Sequence, residues 1–253
     1  MTASSVAAPA VEVTTPATAA VPLARRALAE FLGTGLLVAV VVGSGIAAQR
    51  ASPGDVGLQL LESSVATAFG LAALIVMFGP VSGAHLNPVI TLVDRLTDRR
   101  TTPDRRGPDL AGLATYLAAQ TAGAVCGAVL ANAMFGTPTT WSGTQRTGAN
   151  LWLAELVATA GLVTLAFSLA RTGRTALGAP AVAAYIGAAY WFTASTSFAN
   201  PAVTLGRALT DTFAGIAPGS VPGFLTAQLA GAAVGLVLVL VLYPLPHDRE
   251  AQP

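Results

Sequence analysis

The chain has 253 residues, 53% of them hydrophobic and only 10% charged, with a formal net charge of +1 and a mean hydropathy of +0.65. Soluble domains carry about 25% charged residues, so this composition belongs in a bilayer and leaves no basic surface for a nucleic-acid partner. The single cysteine, Cys126, cannot form an internal disulfide, and neither it nor the two histidines, His85 and His247, stands in a metal-ligating or nucleophilic cluster; no metal, cofactor or enzymatic activity is expected.

Residues 1–24, rich in Ala, Thr, Pro and Val, lack the basic start, apolar run and cleavage site of a signal peptide and read as a disordered cytoplasmic tail. A helix crossing about 30 Å of hydrocarbon needs roughly 20 apolar residues. Six such stretches follow, near residues 26–48, 57–79, 110–134, 150–170, 176–195 and 222–243, and residues 244–253 form a second tail. The spans make one membrane domain over residues 25–243 and leave no room for a soluble catalytic domain. There is no lysine, so arginines decide orientation. With both termini inside, the cytoplasmic side holds Arg25, Arg26, Arg95, Arg99, Arg100, Arg105, Arg106, Arg171, Arg174 and Arg249, against Arg50, Arg146 and Arg207 outside. Both termini are therefore expected in the cytoplasm, with the chain in the cell inner (plasma) membrane.

The spans repeat. Ala29-Glu30-Phe31-Leu32-Gly33-Thr34 opens the first and Ala154-Glu155-Leu156-Val157-Ala158-Thr159 the fourth; the Ala119-Gln120 stretch of the third recurs as Ala227-Gln228 in the sixth. Three spans per half make the second half, about 150–243, enter the membrane opposite to the first, about 26–134. Gly123 with Gly127, and Gly231 with Gly235, permit close helix approach in lipid. Glu30 and Glu155 are costly within apolar spans; they are read as supports of an irregular loop, with solute contact as the alternative. Gln120 and Gln228 invite the same reading.

Between spans two and three lies Asn87-Pro88-Val89-Ile90-Thr91-Leu92-Val93-Asp94-Arg95-Leu96-Thr97-Asp98; between five and six lies Asn200-Pro201-Ala202-Val203-Thr204-Leu205-Gly206-Arg207-Ala208-Leu209-Thr210-Asp211. Seven of the twelve positions are identical. Asn favours the N-cap and Pro the first helical position, so each segment starts a helix. Charge at Asp94 and Arg207 stops it from spanning. Two inverted half-helices meeting head to head place two positive dipole ends near the midplane, which repels cations, while Asn87 and Asn200 can donate to the oxygen of a passing neutral solute. The expected architecture is all-α: six transmembrane helices plus two re-entrant half-helices in an inverted 3+3 repeat.

Ser82-Gly83-Ala84-His85-Leu86-Asn87-Pro88 and the second Asn-Pro-Ala, with the Ala-Glu-Phe-Leu-Gly-Thr opening and the Ala-Gln pairs, resemble the aquaporin and aquaglyceroporin superfamily over residues 26–243. The resemblance implies a passive channel for small uncharged solutes, with a pore centre at Asn87, Pro88, Val89, Asn200, Pro201 and Ala202, in a homotetramer with one pore per subunit. The first motif departs from Asn-Pro-Ala at Val89. His85 is read as bracing its loop by hydrogen bonds, with gating by protonation as the alternative.

The same resemblance implies an outer constriction. Carried over by spacing, it comprises Thr67, Ala188, Ser197 and Val203, with valine where an arginine usually follows the second motif. An arginine-free, wide gate is expected, unless Arg207 swings back from one turn beyond Val203. Residues Tyr190 to Leu205 also look like a bacterial subgroup associated with arsenic resistance, which implies arsenite or methylated arsenic acids as cargo. A general water and glycerol facilitator is the alternative, and an ion-coupled secondary transporter the rival from another class.

Overall fold

The computed structural model describes residues 21–98 and 109–244. The expected tails lie outside the described residues except for 21–24 and 244, as do Arg99, Arg100, Arg105, Arg106, His247 and Arg249. Among the described residues the chain forms helices and no strands: α1 (Leu23–Ala51), α2 (Val56–Ser82), α3 (Pro88–Asp98), α4 (Leu110–Met134), α5 (Ala149–Arg171), α6 (Gly178–Phe192), α7 (Pro201–Arg207) and α8 (Val221–Leu242). Local signals set several starts. The Asp55 carboxylate accepts from Leu58 N at 2.9 Å and that of Asp109 from Gly112 N at 2.7 Å, N-caps that stabilise α2 and α4 by about 1 kcal/mol each.

By length and composition α1, α2, α4, α5 and the segment Pro218–Leu242, which contains α8, can each cross a membrane. The span expected over 176–195 differs. It is a 3-10 turn, Thr175–Leu177, leading into a helix of 15 residues, together about 28 Å long. The helix stops at Phe192 because the chain then turns extended at Thr193 and left-handed at Thr196, Ser197 and Ala199. That irregular stretch leads the backbone into Asn200.

The repeat is visible in the packing. In each half the first long helix lies along the third, α1 on α4 and α5 on α8. A Cβ on Gly123 or Gly127 would overlap the carbonyl oxygens of Phe31 and Gly35, and one on Gly231 or Gly235 would crowd those of Leu156 and Ala160. Bare backbone is what lets these pairs approach, and in lipid such close packing replaces the hydrophobic effect as the attraction between helices. The opposite faces are apolar and exposed, as at Phe69, Val76, Leu153 and Val241. Cys126, with its glycine neighbours turned toward α1, is exposed on α4. The half-helices α3 and α7 each touch both α4 and α8, so they sit between the two halves.

Candidate functional site

The two re-entrant segments meet through their asparagines. Asn87 Nδ2 donates to Ala199 O at 2.9 Å, and Asn200 Nδ2 donates to Leu86 O at 2.8 Å, so each side chain reaches the residue preceding the other. Each amide oxygen caps its own helix: Asn87 Oδ1 accepts from Val89 N at 3.1 Å, and Asn200 Oδ1 from Ala202 N at 3.0 Å and Val203 N at 3.2 Å. An Asn amide has two N–H groups. The crossing bond uses one, and both side chains border a cavity into which the second can point.

The backbone that delivers these asparagines is strained. Ala84 and Leu86 before the first, and Thr196, Ser197 and Ala199 before the second, are non-glycine residues at φ between 46° and 61°. Left-handed geometry costs such residues roughly 1–2 kcal/mol each. Two buried carboxylates offset it. Glu30 accepts from His85 N (3.0 Å), Leu86 N (2.7 Å), Ser82 Oγ (2.6 Å) and Gln120 Nε2 (2.7 Å). Glu155 accepts from Phe198 N (2.8 Å), Ala199 N (2.9 Å) and Gln228 Nε2 (2.7 Å). Hydrogen bonds to a charged group are worth about 1.5–3 kcal/mol each, enough to hold both loops.

The glutamines extend each network. Gln120 Nε2 donates to Thr91 Oγ1 at 2.9 Å and Gln228 Nε2 to Thr204 Oγ1 at 2.9 Å; each threonine hydroxyl donates to the carbonyl of its own asparagine. These threonines belong to the repeated twelve-residue motif, a signal that could have marked them. At His85 the counting of protons is informative. Thr91 has one proton, given to Asn87 O, so its contact with His85 Nδ1 at 3.1 Å requires that nitrogen to be the donor. The other ring nitrogen, Nε2, faces Asp94 Oδ2, 3.8 Å away.

A cavity of about 520 Å³ runs past both asparagines. At the end carrying α7 it is bordered by Thr67, Tyr190, Ser197, Val203 and Arg207, and beyond the asparagines at the other end by His85, Ala84 and Thr175. Ser197 Oγ is buried with no hydrogen-bond partner among the described residues. Two of the expected constriction features lie differently in the structure. Ala188 is exposed and borders no part of the cavity; Ile186 and Tyr190 do, and Tyr190 OH lies 3.0 Å from Thr67 Oγ1. Two residues along an α-helix turn its face by about 200°, so a count across the irregular 193–199 loop that slips by two selects the wrong side. The lining is also not free of arginine: Arg207 is 2% exposed and borders the same cavity as Val203.

Arg207 is firmly held. Its Nε donates to Ala214 O, and its guanidinium carbon lies 3.4 Å from the centre of the Phe198 ring. Arg146, in the α4–α5 connection, approaches the same ring at 5.2 Å and donates to Gly215 O at 2.8 Å and Phe213 O at 3.1 Å. Burial lowers the Arg146 pKa from its ordinary value, and the Glu155 charge acts the other way.

Residues 17–198 match the family described as Major intrinsic protein. The match ends just before the second asparagine, whose pairing with the first rests on the geometry above. The chain is 49% identical over 234 residues to the aquaglyceroporin AqpS of Rhizobium meliloti (strain 1021), covering 91% of this chain and 96% of that one. It is 34% identical over 114 residues to the glycerol uptake facilitator protein of Escherichia coli (strain K12), covering 44% and 35% respectively. In fold it is similar to the aquaglyceroporin from Plasmodium falciparum, with a TM-score of 0.61 at 18% identity over 86% of this chain and 96% of that one. With the matched stretch spanning most of the chain, and two half-helices meeting at a cavity inside an inverted repeat, the chain belongs to the major intrinsic protein family and is a membrane channel rather than an enzyme.

Proposed function

We propose that this protein conducts small uncharged, oxygen-bearing solutes passively, with glycerol and water among them and arsenite or methylated arsenic acids as further cargo. The observation that carries the reading is the crossed pair of asparagine bonds beside the cavity. It supports donors fixed at the meeting point of two positive helix ends, which favours neutral oxygen acceptors and disfavours cations. The glycerol and water assignments draw on the names of the aquaglyceroporin relatives. The arsenic assignment draws on the resemblance of residues 190–205 to an arsenic-resistance subgroup. Val203 and Ser197, small side chains at the constriction, are compatible with it.

We further propose a homotetramer with one pore per subunit in the inner membrane, both termini cytoplasmic. Among the described residues the arginine bias supports that orientation, with Arg25, Arg26, Arg95, Arg171 and Arg174 on one side and Arg50, Arg146 and Arg207 on the other. An ion-coupled transporter would need a titrating group free to change partners. Glu30 and Glu155 have no such freedom, because four and three donors respectively already occupy their oxygens.

Stopped-flow swelling of vesicles holding the purified chain, with water, glycerol and arsenite gradients in parallel, tests the reading. Each flux should exceed that of protein-free vesicles and saturate weakly. Accumulation of solute against its gradient, driven by protons or sodium, would overturn it.

A further inference from the structure

At matching places in the repeat, two residues before each asparagine and seven after it, the first half sets His85 beside Asp94, while the second sets Phe198 beside Arg207. The Phe198–Arg207 pair differs in kind from its counterpart. Arg207 is almost fully buried, borders the cavity, and is fixed on two sides, by the Phe198 face and by Ala214 O. Among the described residues its Nε makes that one hydrogen bond and its terminal nitrogens make none, which leaves a planar set of donors with no protein acceptor. A buried cation with spare donors is expensive unless it serves a pathway. Stacking on the Phe198 ring helps to keep it there.

The surrounding loop is tied in the same sense. Arg146 bonds to Gly215 O and Phe213 O, the carbonyls on either side of Ala214, and Ser142 N and Ala217 N bond across the two connections at 3.0 and 2.7 Å. The position of Ala214 O is thereby set by Arg146.

We propose that Arg207 is a specificity-determining residue of the cavity: its guanidinium, laid flat on Phe198, offers its free N–H groups to the oxygens of uncharged solutes, narrows the passage and repels cations, and Arg146 is the positioning residue that holds it through the 213–215 loop. The proposal rests on the channel reading above. It assigns to a side chain one helical turn past Val203 the sieving that Val203 itself has no group to perform.

The test uses full-length protein in vesicles at matched abundance, with Arg207→Met, Arg207→Lys, Phe198→Leu and Arg146→Ala, and reads water, glycerol and erythritol permeability together with potassium conductance. Arg207→Met should raise the erythritol-to-water ratio several-fold and open a potassium leak. Arg207→Lys keeps the charge and loses the flat fork, so the ratio should rise without the leak. Phe198→Leu and Arg146→Ala, which leave Arg207 in the chain, should shift the ratio the same way by less. Fluxes that fall together at an unchanged ratio, with no leak from Arg207→Met, would make Arg207 a structural tie and overturn the proposal. Should the Arg207 variants fail to fold, an unchanged ratio in Phe198→Leu overturns it equally. Failure of the channel reading is distinct: wild-type vesicles would then swell no faster than protein-free ones.

Discussion

The two re-entrant loops are one scaffold carrying two chemistries. The carboxylate, glutamine, threonine and asparagine of each half occupy matching places with hydrogen bonds that differ by 0.3 Å or less. Even the serine five residues before each asparagine repeats, accepting from Ala84 N at 3.1 Å and from Ser197 N at 3.2 Å. The loops part where they face the mouths. His85, hydrogen-bonded to Thr91 and T-stacked on Tyr116 at 5.4 Å, has no counterpart in Phe198, which cannot bond to Thr204 and is packed against Phe224 and two guanidinium groups instead. The α3 half-helix also runs on to Asp98, while α7 ends at Arg207. Repetition preserves what must satisfy buried backbone; divergence falls on side chains that border the two ends of the cavity, His85 at one and Phe198 and Arg207 at the other.

The largest effect should come from breaking the shared scaffold. Glu30→Gln or Glu155→Gln turns one accepting oxygen into a donor among buried donors, at a cost of about 3 kcal/mol or more. Thermal unfolding in detergent should show both variants strongly destabilised, Glu30→Gln the more so because it faces one more donor. A wild-type melting curve for either would remove the carboxylates as the supports of the loops.

Next in size are Asn87→Ala and Asn200→Ala. Each loses a cap of about 1 kcal/mol and a crossing bond of similar worth. Folded protein should fall modestly and conduction sharply, to the same extent for the two, since the crossing bonds are reciprocal. Normal swelling rates with both variants would count against the pore centre.

Val203→Arg sharpens the contrast between the mouths. It adds a second guanidinium beside Arg207, so erythritol, glycerol and arsenite should lose more permeability than water, and the water-to-solute ratio should rise. An unchanged ratio in folded protein would take Val203 off the limiting constriction.

The smallest effect belongs to Ala188→Val. Its side chain is exposed and away from the cavity, so stability should stay within about 0.5 kcal/mol of wild type, with every solute ratio unaltered. A shift in selectivity would return Ala188 to the pore and displace Tyr190.

Much of this was readable before any coordinates. The duplicated Asn-Pro segments, the Ala-Glu openings and the Ala-Gln pairs are local strings, and their inverted order follows from the odd number of spans. The physics behind them is also local: caps, dipole ends, and the penalty for a carboxylate in lipid. Tyr190 and Phe198 carry no readable role in the sequence because an aromatic residue in an apolar chain bears no mark of what it faces, and Ala188 lies off the cavity because spacing along the chain does not carry reliably through left-handed backbone. The short α6 escaped for a related reason. Apolar composition continues through Phe192 into the following loop, and only the hydrogen-bond needs of that loop end the helix.

The sequence by itself determined a membrane-spanning helical repeat with two paired half-helices, because hydropathy, capping and duplication act over a few residues at a time. The tertiary structure decided that Tyr190, and not Ala188, joins Thr67, Ser197 and Val203 along the cavity, and that Arg207 borders it as well. Arg207 is held there by Phe198 and Ala214, on either side of it in the chain, and, through the neighbours of Ala214, by Arg146 from the distant α4–α5 connection; a buried guanidinium's direction is set by whatever acceptor and ring it finds, and no spacing along the chain encodes that meeting.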